Sequence, residues 1–182
     1  MTARASAAIT PVELKHAIRN IPNFPKPGIL FRDITPLLQN GALFRSVIDQ
    51  LAARHENRGI DAVVGVEARG LIFGAALAYR LGVGFVLVRK AGKLPHTTIR
   101  TRYDLEYGEG VLEAHSDSIA AGAHVVLVDD LLATGGTMAA VVRLVEQLQA
   151  RVIEVDFVVE LLPLAGRARL GNYPVHSLIQ YD

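Results

Sequence analysis

Four short runs constrain the fold more than any other feature of the chain. Asp61–Val66, Gly84–Arg89, His124–Asp129 and Ile153–Leu161 are rich in β-branched residues and apolar at both odd and even positions. A strand with one wet face alternates, whereas a strand covered on both faces does not. Helical patterns lie between the runs. Leu43, Phe44, Val47, Ile48 and Leu51 predict a helix over about 41–57, and further helices are expected over about 70–81 and 135–149. Strand and helix in alternation imply βαβ units with right-handed crossovers. The expected fold is α/β, an open and mainly parallel sheet flanked by helices, in one domain over residues 1–182. Ligands of such sheets bind beyond the carboxyl ends of the strands, so functional residues are expected just after Val66, Arg89, Asp129 and Leu161.

Two regions stand apart from this alternation. Thr10-Pro11-Val12-Glu13 has the form of a capping box with proline at the first helical position, and a short helix to about Arg19 is expected. Three prolines and a glycine follow between Ile21 and Gly28, which forbids a helix and predicts an ordered, turn-rich loop. Residues 91–110 show no clear periodicity, so a functional lid or a mobile stretch is expected there.

The bulk properties exclude several classes. A net charge of +1 leaves no broad electrostatic footprint for nucleic acid or an acidic membrane, and neither is an expected partner. The longest apolar stretch, Leu71–Tyr79, is too short to span a bilayer, and the first residues lack the apolar run of a secretory signal. The absence of cysteine excludes disulfides and thiolate metal sites and fits a reducing cytoplasm. The six histidines show no metal-ligand spacing, so no protein metal site is expected. Anion chemistry must therefore come from local arrangement.

The run Val125–Asp130 leads through Leu131, Leu132 and Ala133 into Thr134-Gly135-Gly136-Thr137 and the expected helix. Glycines let the backbone curl and its N–H groups approach a ligand. Those groups, the helix N-terminus and two hydroxyls form a nest for a phosphate dianion. No Gly-x-x-x-x-Gly-Lys is present, which suits a lone phosphomonoester better than a nucleoside triphosphate. Asp129 and Asp130 would repel that anion unless something lies between, and a ribose diol does. Its hydroxyls donate to the carboxylates while its 5′-phosphate sits in the nest. Adjacent strand residues point to opposite faces, so the pair is expected where the strand ends.

This stretch resembles the phosphoribosyl diphosphate (PRPP) signature of type I phosphoribosyltransferases. Further segments resemble the adenine-using branch of that family: Phe24–Pro36, Glu67-Ala68-Arg69-Gly70, Arg89–Pro95, Leu105-Glu106-Tyr107-Gly108 and Leu178–Tyr181. The likeness covers about residues 10–182. It implies transfer of a phosphoribosyl group from PRPP to adenine, giving AMP and pyrophosphate, with Mg²⁺ bound mainly through the diphosphate. It also implies a small N-terminal hood over the base within about 1–36, a flexible catalytic loop over about 91–110, and a homodimer. By the same resemblance, Glu67, Ala68, Arg69 and Gly70 hold pyrophosphate, with Arg89, Lys90, Lys93 and Tyr107. Glu106 handles a proton or orients the base, and Arg69 assists catalysis. Phe31 stacks on adenine, the backbone of Leu30 and Arg32 reads its edge, and Leu161 supplies the opposite wall. Asp129, Asp130 and Ala133–Thr137 hold the ribose 5-phosphate. Arg100 and Arg102 extend the local positive patch but lie outside the motif. Asp104 replaces the small residue usual before the Leu-Glu-Tyr triplet, and His96 also departs from the pattern.

Two rival readings fit the residues less well. A PRPP-sensing regulator would not need Glu106 or Arg69, and only about 20 residues precede the hood, too few for a winged helix. A 6-oxopurine as substrate usually calls for a lysine after the last core strand, where this chain reads Glu160-Leu161-Leu162-Pro163.

Overall fold

The computed structural model describes residues 9–105 and 108–182. A seven-stranded sheet forms the centre. Its strands are β3 (Ala62–Val66), β4 (Gly84–Lys90), β5 (Thr98–Leu105), β6 (Gly108–His115), β7 (His124–Leu132), β8 (Arg151–Leu161) and β9 (Val175–Tyr181). They run in the order β5-β6-β4-β3-β7-β8-β9. The five from β4 to β9 pair in parallel, and β5 and β6 add an antiparallel edge. The expected open, mainly parallel architecture is the one observed.

Both faces of the sheet are covered, as the unalternating runs require. On one side, Val64, Val66, Leu127 and Val155 pack with Met138, Val141 and Leu144 of α5 (Gly136–Gln147). On the other, Val63, Val126, Val128 and Val158 pack with α3 (Gly41–His55) and α4 (Gly70–Leu81). Asn40 caps α3 by accepting the amides of Ala42 and Leu43 at 3.0 and 3.2 Å. Gly82, at φ 70°, closes α4 in the left-handed conformation. Helix α4 lies directly on β3 because two glycines face each other. A Cβ on Gly74 would sit 3.1 Å from the Gly65 Cα and 2.8 Å from the Phe85 ring. This close approach sets the position of the Glu67–Gly70 loop.

The N-terminal segment packs across the second face. The capping box is formed, with Glu13 N donating to Thr10 Oγ1 at 3.3 Å and Thr10 N to Glu13 Oε2 at 2.8 Å. Helix α1 (Pro11–His16) ends three residues earlier than expected, because Arg19 already belongs to a ribbon. In that ribbon β1 (Arg19–Pro22) pairs antiparallel with β2 (Leu30–Asp33), and the proline-rich loop joins them. A short α2 (Thr35–Gln39) follows.

The expectation for 91–110 needs correction. Among the described residues of this range only 91–97 is irregular; Thr98–Leu105 and Gly108–His115 form a hairpin. Thr101 and Tyr103 face inward, which makes a period-2 pattern with a polar residue on its buried side. Tyr103 lies flat over its partner Gly110, where a Cβ would come within 2.4 Å of the ring.

Candidate active site

The nest stands at the β7–α5 junction. Gly135 adopts φ 80° as the residue that starts α5, and Asp129 and Ala133–Met138 line a cavity of about 80 Å³ there. The loop is pressed against a turn that sequence reasoning did not single out. The chain leaves β8 through two 3-10 turns, Leu162–Leu164 and Gly166–Leu170. A Cβ on Gly166 would lie 2.2 Å from the Ala133 carbonyl oxygen, and one on Gly135 would lie 2.3 Å from the Gly166 oxygen. Two backbones touch here with no room for a side chain.

A buried network holds the turn in place. Arg167 donates through Nε and Nη2 to the two carboxylate oxygens of Glu160, both at 2.6 Å. Ser177 and Gln180 of β9 add further donors to Glu160. Above all the Arg167 contact holds the Glu160 carboxyl well below the usual range, at about 2.

The acid pair is built differently from the expectation. Strand β7 does not end at Asp129 but continues to Leu132. Its alternation slips instead. Val125 and Leu127 belong to the α5 face and Val126 and Val128 to the other, yet Leu132 is on the α5 face and Leu131 on the other. Asp129 and Asp130 sit at the slip, and both address the start of α4. Asp129 Oδ1 would lie 2.7 Å from a Cβ on Gly70 and accepts the Asp130 amide at 2.9 Å. Asp130 pairs with Arg69 Nε. Burial and then the Asp130 charge push the Asp129 carboxyl well up.

Arg69 thus links two parts of the site. Its guanidinium also lies 5.6 Å from the Phe31 ring centroid. Phe31 and Phe24 meet edge to face at 5.0 Å. With Ile21, Ile34, Leu38 and Ile72 they line a largely apolar cavity of about 480 Å³, open to Arg69. The Arg32 side chain turns away to anchor the hood. It donates to Asn20 and stacks 3.8 Å from the Tyr181 ring, which Lys15 also approaches at 4.4 Å. The Leu30 side chain is exposed. Leu161 packs near the Ile179 and Tyr181 cluster and is not among the residues lining the hood cavity.

The Glu67–Gly70 loop joins β3 to α4, and its Glu67–Ala68 peptide is cis. Arg89 does not stand free for an anion. It grips Glu67 through Nε at 3.1 Å and Nη2 at 3.3 Å, and Nη1 donates to the Lys93 carbonyl at 3.2 Å. Arg89 first, then the Lys90 amide, hold the Glu67 carboxyl below its ordinary value against the effect of burial. Lys90 and Lys93 are exposed, and neither ammonium pairs with a carboxylate among the described residues. Glu106 and Tyr107 lie outside the described residues.

A metal-like cluster also appears among the described residues: His55, Glu154 and Asp156 offer ligand atoms within 4.8 Å of one another. Glu154 is already taken by Arg54 and Arg58, and His55 is bonded to Asp156 at 2.5 Å. Two arginines beside its carboxylate fit a divalent cation poorly.

A parallel sheet with a glycine turn into a helix and an acid pair at its carboxyl edge has the form expected of a phosphoribosyl-binding protein. The model of the phosphoribosyl transferase domain matches residues 33–177, and the chain belongs to that family. Within it the chain sits among the adenine phosphoribosyltransferases. One from Roseiflexus sp. (strain RS-1) is 61% identical, over 92% of this chain and 98% of that one. The crystal structure of the Thermoanaerobacter pseudethanolicus enzyme superposes with a TM-score of 0.91 at 52% identity, covering 94% of this chain and 100% of that one. The Saccharomyces cerevisiae enzyme, solved with adenine and an imino-altritol bisphosphate, gives 0.88 at 48% identity, with 92% and 97% coverage.

Two predictions follow from this geometry. Gly166→Ala should move Ala133 and raise the KM for PRPP about tenfold, since small displacements at a binding centre carry such costs; an unchanged KM would show that the turn does not set the nest. Asp129→Asn should raise the thermal midpoint by about 3 °C at pH 7.5, equivalent to roughly 1 kcal/mol, while activity falls. The sign follows from the raised carboxyl. Its protonated form is favoured in the folded state, so the cost of Asp129 is absent below the unfolded-state pKa and fully present once the pH has passed the folded one. The gain should shrink as pH falls and the wild-type carboxyl becomes neutral, which calorimetry across pH 4–8 checks.

Proposed function

We propose that this chain transfers the 5-phosphoribosyl group of PRPP to adenine, forming AMP and pyrophosphate. The observation that carries the reading is the pairing of the nest with the apolar hood cavity, with Arg69 between them. Amides of Ala133–Thr137 take the 5′-phosphate, and Asp129 and Asp130 accept from the ribose hydroxyls. The diphosphate draws the Arg69 guanidinium from Asp130, and that exchange frees the carboxylate for the sugar. Backbone groups of Glu67–Gly70 and the ammonium groups of Lys90 and Lys93 hold the leaving group, while Arg89 positions the loop. Adenine stacks on Phe31 and is read by the backbone of Leu30 and Arg32, with Glu106 orienting its imidazole edge and Tyr107 closing over the phosphates.

Catalysis on this reading is placement and charge. Bond breaking leaves positive character on the sugar and negative charge on pyrophosphate, and the basic loop stabilises the latter. Adenine held in line is the nucleophile. Mg²⁺ would be held mainly by the diphosphate oxygens of PRPP, which suit a hard cation, with Asp129, which forms no ion pair among the described residues, as the nearby carboxylate. Bound there, it would neutralise charge on the leaving group.

The assay compares adenine, hypoxanthine and guanine with PRPP, with Mg²⁺ and with EDTA. AMP from adenine and loss of turnover in EDTA are expected; nucleotide formed from hypoxanthine or guanine at the adenine rate would reject the assignment.

We also propose a homodimer. Ile72 and Tyr79 of α4 and Leu87 of β4 are 42%, 90% and 41% exposed, which leaves apolar surface on neighbouring elements to be covered. Sedimentation at micromolar concentration should give twice the chain mass of 19.6 kDa, and a species of one chain mass would refute it. No described helix is long and apolar enough to cross a membrane, and the cysteine-free chain suits the proposed cytoplasmic setting.

A further inference from the structure

Glu113 has no place in the chemistry above, yet its carboxylate is fully buried. It lies on β6, facing the irregular stretch 91–97 that carries Lys93. Oε1 accepts the amides of Lys93 and Leu94 at 2.9 and 3.0 Å. Oε2 accepts Arg100 Nε at 3.1 Å and the Thr98 hydroxyl at 3.4 Å. Burial pushes this carboxyl up, but the two amides and Arg100 more than reverse the effect, and it is held below its ordinary value. Four donors on one buried carboxylate make an anchor.

The anchor works against a second one. Arg89, fixed to Glu67, donates to the Lys93 carbonyl from the opposite side. Residue 93 is therefore held by its amide and by its carbonyl at once, and its side chain is left exposed to solvent. The ends of the stretch are tied by Ala91 N to Val111 O and Ser116 N to Thr97 O, each at 3.0 Å. Between those ties the chain passes through Gly92 at φ 82°, and Glu113 takes the next two amides.

We propose that Glu113 is a positioning residue: by collecting the amides of Lys93 and Leu94 it sets the backbone from which the Lys93 ammonium reaches the diphosphate of PRPP. The inference rests on the reading of Lys93 as a diphosphate contact. It assigns a role to Arg100 as well, which neutralises the anchor rather than binding substrate.

The test measures KM for PRPP and adenine, and inhibition by pyrophosphate, in Glu113→Ala, Glu113→Gln, Lys93→Ala and the Glu113→Ala/Lys93→Ala double variant. Glu113→Ala should raise the PRPP KM and the pyrophosphate inhibition constant about tenfold and leave the adenine KM within about twofold. Glu113→Gln, whose amide carbonyl still accepts both N–H groups, should recover most of the loss. In the Lys93→Ala background, Glu113→Ala should cost almost nothing more, because both act through one contact. Additive losses, or an equal rise in the adenine KM, overturn the proposal. A loss in Lys93→Ala with none in Glu113→Ala refutes the proposal alone. An unchanged PRPP KM in Lys93→Ala refutes the reading of the loop and the proposal with it. Amide exchange in the unaltered protein is independent of whether the variants fold. The Lys93 and Leu94 amides should exchange about a hundredfold slower than in a coil, and coil-like rates would overturn the anchor.

Discussion

On the proposed reading a doubly charged phosphate must be held a few residues from two carboxylates, and the rest of the site answers to that constraint. The chain meets it without a lysine in the nest. On that reading, main-chain N–H groups and the α5 terminus supply the positive field for the phosphate. The carboxylates are handled separately. Asp130 is paired with Arg69, while Asp129 is left in a place that disfavours its charge. The alternation of β7 slips between Val128 and Leu131, and there Asp129 lies against Gly70 while Asp130 meets the Arg69 side chain.

The central strands, α3, α4 and α5 were legible because each is a local pattern. The unalternating run of β7 and the glycine pair after it leave few other local solutions. What escaped was long-range. Arg69 finds Asp130 across 61 positions, and the Glu113 carboxylate finds two amides 20 and 19 positions away. Nothing near Glu113 in sequence distinguishes it from a solvated strand glutamate. Gly166 is similar: a lone glycine after a strand reads as a turn, and its contact with Ala133 exists only once β7 and β8 lie side by side. The hairpin escaped for a local reason. Arg100 and Arg102 mark its outer face, but Thr101, a polar residue on the inner one, weakens the contrast on which a strand pattern depends. A resemblance to known enzymes placed Arg89 on the substrate, and nothing in its sequence surroundings pointed to its contacts with Glu67 and Lys93.

The two flanks of the sheet do different work. On the hairpin side, the buried Glu113 receives donors from an irregular stretch and ties it down. On the β8–β9 side, Glu160 does the same for the turn behind the nest, with an arginine in place of amides. In both, a carboxylate that touches no substrate orders a loop whose own residues have little apolar surface to bury.

The hood is moored to the far end of the chain. Arg32 and Lys15 approach one ring, Tyr181, and the Lys15 ammonium also donates to the Gln180 carbonyl at 2.6 Å. During synthesis the first fifth of the polypeptide therefore emerges long before the segment it docks on. Until β9 is made, Arg32 and Lys15 lack the ring on which they dock, so the ribbon that carries Phe31 is secured only after most of the sheet has been synthesised.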